Sequence, residues 1–242
     1  MNSIYAVILG DLVGQPYESK LKENVAIKDN VIIYNDRARI TDDSIMTIAA
    51  CEYLIQQSSE KSIEYFFKKH ALENVGCGFG SGFKKWINTP LGTIGNSWGN
   101  GSIMRISPFI LLKDLKGLCD SINTSHSHII SLKAAMNLYE LYHQPKKKEE
   151  LFQIEQFEKM ELKSDITLST VYKVFNNTKS THEAIKLAVS LGGDTDTIAS
   201  IVAGLSAYHY NDITEKDIAY VNSKLTQSQK EIILNFTSMY NN

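Results

Sequence analysis

Residues 192–208 read Gly-Gly-Asp-Thr-Asp-Thr-Ile-Ala-Ser-Ile-Val-Ala-Gly-Leu-Ser-Ala-Tyr. The glycine pair suits the C-terminal cap of a helix ending near Leu191. The Asp and Thr residues suit the first turn of a following helix, whose apolar body runs from Ile198 to Tyr208. Such a corner passes from helix to helix within two or three residues, and it holds Asp194 and Asp196 rigidly, as a pair of metal ligands requires.

Working outward, the same pattern recurs. Thr41-Asp42-Asp43-Ser44 precedes Ile45, Met46, Ile48, Ala49, Tyr53 and Leu54, which follow a helical period. Ile129, Leu132, Ala135, Met136, Tyr139 and Leu141 follow one again. Ser180 with Glu183, Thr214 with Asp217, and Ser228 with Glu231 have capping-box spacing before further apolar runs. Strand signals are confined to Val25–Tyr34, which also fits an extended loop. Eight of the 14 glycines fall between Gly76 and Gly101, among Phe79, Phe83, Trp86 and Trp98, and predict an ordered loop system. Pro145–Glu150 reads as a solvated turn entering the next helix. The expectation is an all-α chain, 1–242, forming a single domain.

Composition narrows the function. Hydrophobic residues at 43% and charged residues at 21% are those of a globular chain with a substantial core. No apolar run approaches the roughly 18 to 20 residues of a membrane helix, and Ile4–Leu9 lacks the basic flank of a signal peptide. A net charge of −2, with Arg37, Arg39 and Arg105 as the sole arginines, argues against generic nucleic-acid binding. Cys51, Cys77 and Cys119 form no C-x-x-C pair, which argues against disulfides and thiolate zinc and for a cytoplasmic setting.

The two acidic clusters hold more carboxylates than a helix cap needs, and those carboxylates repel one another. Capping is one reading; a cation that relieves the repulsion is the other. Asp and Thr oxygens are hard ligands suited to Mg²⁺, Mn²⁺ or Ca²⁺. An EF-hand fits poorly, with no Gly at the sixth loop position and no Glu at the twelfth. If the fold joins the clusters, four carboxylates balance two divalent ions, an arrangement able to activate water. Gly95–Ser102 (GNSWGNGS) could cradle phosphate oxygens with its backbone N–H groups, with Trp98 against a ribose or base, or could be a surface turn over a buried Trp. It is neither a Walker loop nor a Rossmann fingerprint. In Ser125-His126-Ser127-His128, histidines two apart do not share a helical face; one can meet a ligand while the other caps. Gly10 and Gly14, four apart, would let another element approach, and Glu18 follows an X-Pro turn.

In their order along the chain, GDLVGQPYE (10–18), TDDSIMTIA (41–49), GNGSIMRISP (99–108), SHSH (125–128) and GGDTDTIASIVAG (192–204) together resemble the ADP-ribosylglycohydrolase family. The resemblance implies an orthogonal helical bundle with two Mg²⁺ ions, or Mn²⁺, in a cleft. It implies metal ligands Thr41, Asp42, Asp43, Asp194, Asp196 and Thr197. Ser97, Trp98, Gly99, Asn100 and Gly101 match the loop for the diphosphate and distal ribose, and His126 matches the first His of the family's T-H motif. Ser44 stands for the usual Thr, Trp98 for Tyr or Phe, and Ser125 for Thr. The chain is shorter than many members, so substrate-selecting loops are expected to be trimmed. The implied reaction is hydrolysis at C1 of the distal ribose of an ADP-ribosylated protein or other acceptor, releasing ADP-ribose, with Glu18 or Asp43 as the base, by a monomer. Two other classes compete: a non-catalytic ADP-ribose reader, and a metal-dependent hydrolase of a small ADP-ribose-like metabolite. An all-α phosphohydrolase would call for a His-Asp pair, and no His-Asp dipeptide occurs.

Overall fold

The structure is a computed structural model describing residues 2–22, 24–56, 60–145 and 151–241. These form twelve α-helices: α1 (Ser3–Gly14), α2 (Asp42–Ile55), α3 (Ile63–Glu73), α4 (Ser81–Trp86), α5 (Ser107–Leu111), α6 (Leu115–Ser125), α7 (Ile129–His143), α8 (Ser164–Asn176), α9 (Thr181–Val189), α10 (Thr195–Tyr210), α11 (Glu215–Lys224) and α12 (Gln227–Asn241). No strand occurs among the described residues, only two isolated bridges. No helix among them is long and apolar enough to cross a membrane.

Helices α1 and α10 form the centre. Every residue of α1 is buried, and α10 is buried from Thr195 to Ala207. A helix apolar on all sides belongs in the interior of a bundle. Their backbones touch where Gly10 and Gly14 remove side chains: a Cβ at Gly10 would lie 2.3 Å from the Ala199 carbonyl oxygen, and one at Gly14 2.4 Å from that of Thr195. This contact sets the C-terminal end of α1 beside the acidic start of α10. Around the pair, α9 and α8 pack on α10, α2 packs on α3 and α12, and α7 on α8. Phe67, Phe109, Phe175 and Phe236 are fully buried among them.

The expected helices form, with four differences. Val25–Tyr34 is no strand: it contains a short 3-10 turn at Lys28–Asn30 and otherwise runs irregularly. No second extended segment among the described residues offers it a ladder; Tyr17 Oη accepts from Ile32 N instead. Helix α12 starts earlier than Ser228 and Glu231 suggest. Thr226 and Gln229 make its reciprocal cap, Gln229 N donating to Thr226 Oγ1 at 3.3 Å and Thr226 N to Gln229 Oε1 at 2.9 Å. Residues 146–150 of the expected turn lie outside the described residues, and the chain beyond is not helical until Ser164. The glycine-rich stretch also contains α4, inside what the glycines predict to be loop. The Thr214–Asp217 box is complete. In the Ser180 box, Glu183 reaches back to Lys179 N, one residue before the cap.

Candidate functional site

The site assembles at the C-terminal end of α1 and the N-terminal ends of α2 and α10. Thr41 caps α2, its hydroxyl accepting from Asp43 N. Behind it stands Asp11, the one charged residue of α1. Its carboxylate accepts from Thr41 N at 2.9 Å, Thr41 Oγ1 at 2.8 Å, Ser44 N at 3.2 Å, and the Ser44 hydroxyl. Asp11 thus fixes the entire first turn of α2. Asp11 carries no role in the motif that contains it, and its one sequence signal is a lone carboxylate in a helix apolar on all sides.

The corner before α10 is built as expected. Gly192 and Gly193 have φ of +75° and +74°, a conformation that side chains disfavour. Asp194 then occupies the cap position and Asp196 the first turn. Thr195 Oγ1 donates to the Gly14 carbonyl at 2.8 Å, locking the corner onto α1. Thr197 Oγ1 donates to Asp43 Oδ2 at 3.0 Å, joining the two acidic clusters across 154 positions of sequence. Glu18 enters from the 3-10 turn at Gln15–Tyr17. Its carboxylate oxygen and those of Asp194 and Asp196 all lie within 4.8 Å of one another. Glu18 stands apart from the expected metal ligands in sequence; the fold brings it to them.

The electrostatics follow from burial without compensation. Asp11, Asp43, Asp194 and Asp196 are buried, Asp42 is half-buried and Glu18 is exposed at the mouth. No ion pair among the described residues reaches any of the six. Burial, with Asp11 as the strongest like-charged neighbour, pushes Asp42 up to about 7. Burial and neighbouring carboxylates hold Asp43 and Asp196 well above the usual range. Burial also raises Asp11 and Asp194. Glu18 is raised by partial desolvation and by Asp194 and Asp11. Asp43 Oδ1 is buried with no hydrogen-bond partner.

The glycine loop lies beside these acids, stitched on both flanks. Gly95 N donates to the Thr124 carbonyl at 2.9 Å and Ser97 N to that of Ser125 at 3.2 Å. Asn100 N donates to the Leu162 carbonyl at 2.7 Å, and Ser164 N to that of Trp98 at 3.1 Å. The loop leads into a single 3-10 turn, Asn100–Ser102, rather than a long helix. Trp98 is 49% exposed, so it is no core residue, and Lys163 Nζ sits 4.9 Å from its ring centroid. Ser97 Oγ accepts from Gly99 N at 3.1 Å. The Asn100 side chain turns inward and donates to Asp194 Oδ2 and to Thr167 Oγ1. It therefore bridges loop and acids. His128 caps α7, accepting from Ile130 N, while His126 is buried against Gly101. The extended stretch 151–163 had no sequence signal. It ties the corner to the loop, with Phe157 N donating to the Leu191 carbonyl and Leu162 holding Asn100.

Residues 1–144 match a family model described as ADP-ribosylglycohydrolase. The chain belongs to the ADP-ribosylglycohydrolase family. The matched part contains Glu18, Thr41, Asp42, Asp43, the glycine loop and His126. Asp194, Asp196 and Thr197 lie beyond it and reach the family-matched residues through the Thr197–Asp43 and Asn100–Asp194 hydrogen bonds. No curated protein matches the chain. Among solved structures, an "ADP-ribosylglycohydrolase-related protein complex" is 17% identical with a TM-score of 0.72, over 99% of this chain and 96% of that one. At that identity the likeness is one of fold, and it agrees with the all-α ADP-ribosylglycohydrolase bundle.

Proposed function

We propose that this chain is a Mg²⁺-dependent hydrolase that removes ADP-ribose from a modified acceptor, cleaving the bond at C1 of the distal ribose. The observation that carries the reading is six carboxylates gathered without a cationic partner among the described residues and tied through Asn100 to a glycine loop beside an exposed Trp98. The donor set fits a hard cation: the oxygens of Glu18, Asp194 and Asp196 converge, and Asp43 Oδ1 is buried with no donor. Thr41, Asp42, Asp43, Asp194, Asp196 and Thr197 are the residues that would hold two ions, with Glu18 at their edge. Bound there, such cations supply charge neutralisation and Lewis acidity.

The protein's own residues divide the remaining work. The loop from Ser97 to Gly101 holds the diphosphate and ribose, and Trp98 offers its face to the ligand. Water adds to C1, the C1–acceptor bond breaks with its electron pair leaving on the acceptor, and the water proton passes to a carboxylate. Glu18 suits that last role better than Asp43. It is exposed at the mouth, and partial desolvation with Asp194 and Asp11 raises its carboxyl, whereas Asp43 is closed off and accepts from Thr197. Helix α12 packs on α2, which supports reading 1–242 as one domain. We also propose that it works as a cytoplasmic monomer.

A panel of defined ADP-ribosylated substrates, carrying the modification on arginine, serine, a nucleobase or a small metabolite, tests the proposal with Mg²⁺ and with EDTA. The expected result is turnover of at least one substrate, lost with EDTA. Binding of ADP-ribose without turnover would make the chain a reader, and undiminished turnover in EDTA would remove the metal from the account.

A further inference from the structure

Behind the glycine loop lies a buried cation that the reaction above leaves unused. Arg105 is fully buried and makes no ion pair among the described residues. Its guanidinium lies 4.2 Å from the Phe67 ring centroid. Nη2 donates to the Ser121 carbonyl and to Ser125 Oγ, each at 2.8 Å, and more weakly to Thr124 Oγ1 at 3.5 Å, while Nε and Nη1 have no hydrogen-bond partner. A buried charge compensated this poorly is unfavourable, and packing alone does not account for it.

Its hydrogen bonds have a direction. A guanidinium only donates, so Ser125 Oγ accepts from Arg105. The Ser125 hydroxyl proton is then directed to His126 Nδ1, 2.8 Å away. The opposite assignment would leave the buried Ser125 hydroxyl proton without an acceptor, at the cost of an unmade hydrogen bond. With Nδ1 accepting, the single proton of the neutral ring sits on Nε2. That atom faces the loop: a Cβ on Gly101 would lie 3.0 Å from it and one on Gly99 3.9 Å. Burial and the nearby Arg105 both keep the imidazole from protonating.

We propose that Arg105, acting through the Ser125 hydroxyl, is a positioning residue that fixes His126 as its Nε2–H tautomer, so that His126 donates to a phosphate oxygen of the ligand at Gly99–Gly101. The ligand half of this statement rests on the function proposed above; the tautomer half does not. Both Arg105 and Ser125 are buried, and the Ser125 hydroxyl lies between the guanidinium and the ring.

Long-range ¹H–¹⁵N NMR of the full chain without ligand reads the tautomer directly and needs no variant to fold. The expected spectrum has a protonated Nε2 and an unprotonated Nδ1 for His126. Ser125→Ala moves the ring toward the Nδ1–H form and weakens ADP-ribose binding about tenfold, the order of one hydrogen bond to a charged group. Ser125→Thr, which keeps the hydroxyl, restores both readings. A wild-type ring protonated on Nδ1 would overturn the relay, as would a Ser125→Ala variant with unchanged tautomer and affinity. The loss of ADP-ribose binding in the wild type beside the expected tautomer would instead overturn the ligand half and the function on which it rests. The two failures therefore appear in separate measurements.

Discussion

The start of α11 and the joined starts of α2 and α10 are built from the same residue types and reach opposite electrostatic states. At α11, Asp217 is fully buried and accepts from Thr214 N and Thr214 Oγ1, the Tyr34 hydroxyl and His182 Nε2. Burial alone would raise its carboxyl, but these donors together bring it below the usual range. At α2 and α10, Asp43 and Asp196 are equally buried, yet surrounded by other carboxylates and held well above that range. The first site is complete within the chain. The second gathers buried carboxyls that no ion pair among the described residues reaches.

The largest expected effect separates the two directly. Asp43→Ala or Asp196→Ala should abolish turnover while the metal-free melting temperature holds or rises, because each removes a repelling charge. Asp217→Ala should leave the saturating rate intact and cost about 2 kcal/mol of stability, since its donors lose a charged acceptor. Paired assays of turnover and thermal unfolding check both halves. If Asp43→Ala and Asp196→Ala unfold in the metal-free state, these acids are caps like Asp217.

Next in size is Glu18→Gln, which keeps the shape of the side chain and removes the base. The saturating rate should fall about 10²-fold or more, with ADP-ribose affinity little changed. A collapse of affinity at a retained rate would assign Glu18 to substrate holding instead. Smaller again is Trp98→Ala, which should weaken ADP-ribose binding by about 1–2 kcal/mol in a direct titration. Unchanged affinity would take Trp98 out of the ligand site.

The smallest effect is one of pH, and its sign differs between the two helix starts. Asp42 titrates near 7 in the folded chain against an ordinary 3.8. The native state therefore holds an extra proton between about pH 4 and pH 7, and the associated stability is lost as pH rises through the folded value. Asp217, held low, contributes stability above the ordinary carboxylate range that is lost as pH falls through its folded value. Metal-free protein should lose melting temperature between about pH 4 and pH 7, and excess Mg²⁺ should flatten that slope. A metal-free profile that rises over this range would contradict the raised carboxylates.

Much of this arrangement was legible in the sequence because it is local. The glycine pair, the acidic first turns and the apolar bodies of α2 and α10 each announce themselves within a dozen residues. The close approach of another element at Gly10 and Gly14 was also legible, since glycines four apart clear one face; that the element is α10 was not. What escaped depends on contacts between distant segments. Asp11 has no neighbouring motif; its role exists only once α2 starts above it. The stretch 151–163 carries no periodicity, and its backbone bonds to Leu191 and Asn100 appear only in the fold. Glu18 was singled out by its motif, but its convergence with Asp194 and Asp196 required the α1–α10 contact. The inward turn of Asn100 likewise depends on Asp194, 94 positions away.

Calorimetric titration of Mg²⁺ into EDTA-stripped protein near pH 6.5, repeated in buffers of different ionisation enthalpy, tests the central claim most directly. Raised carboxylates must give up protons when a cation binds. The account predicts saturable binding of two ions with net proton release, and loss of that signal in Asp196→Ala. Absence of saturable binding, or binding with no proton release in any buffer, would contradict it.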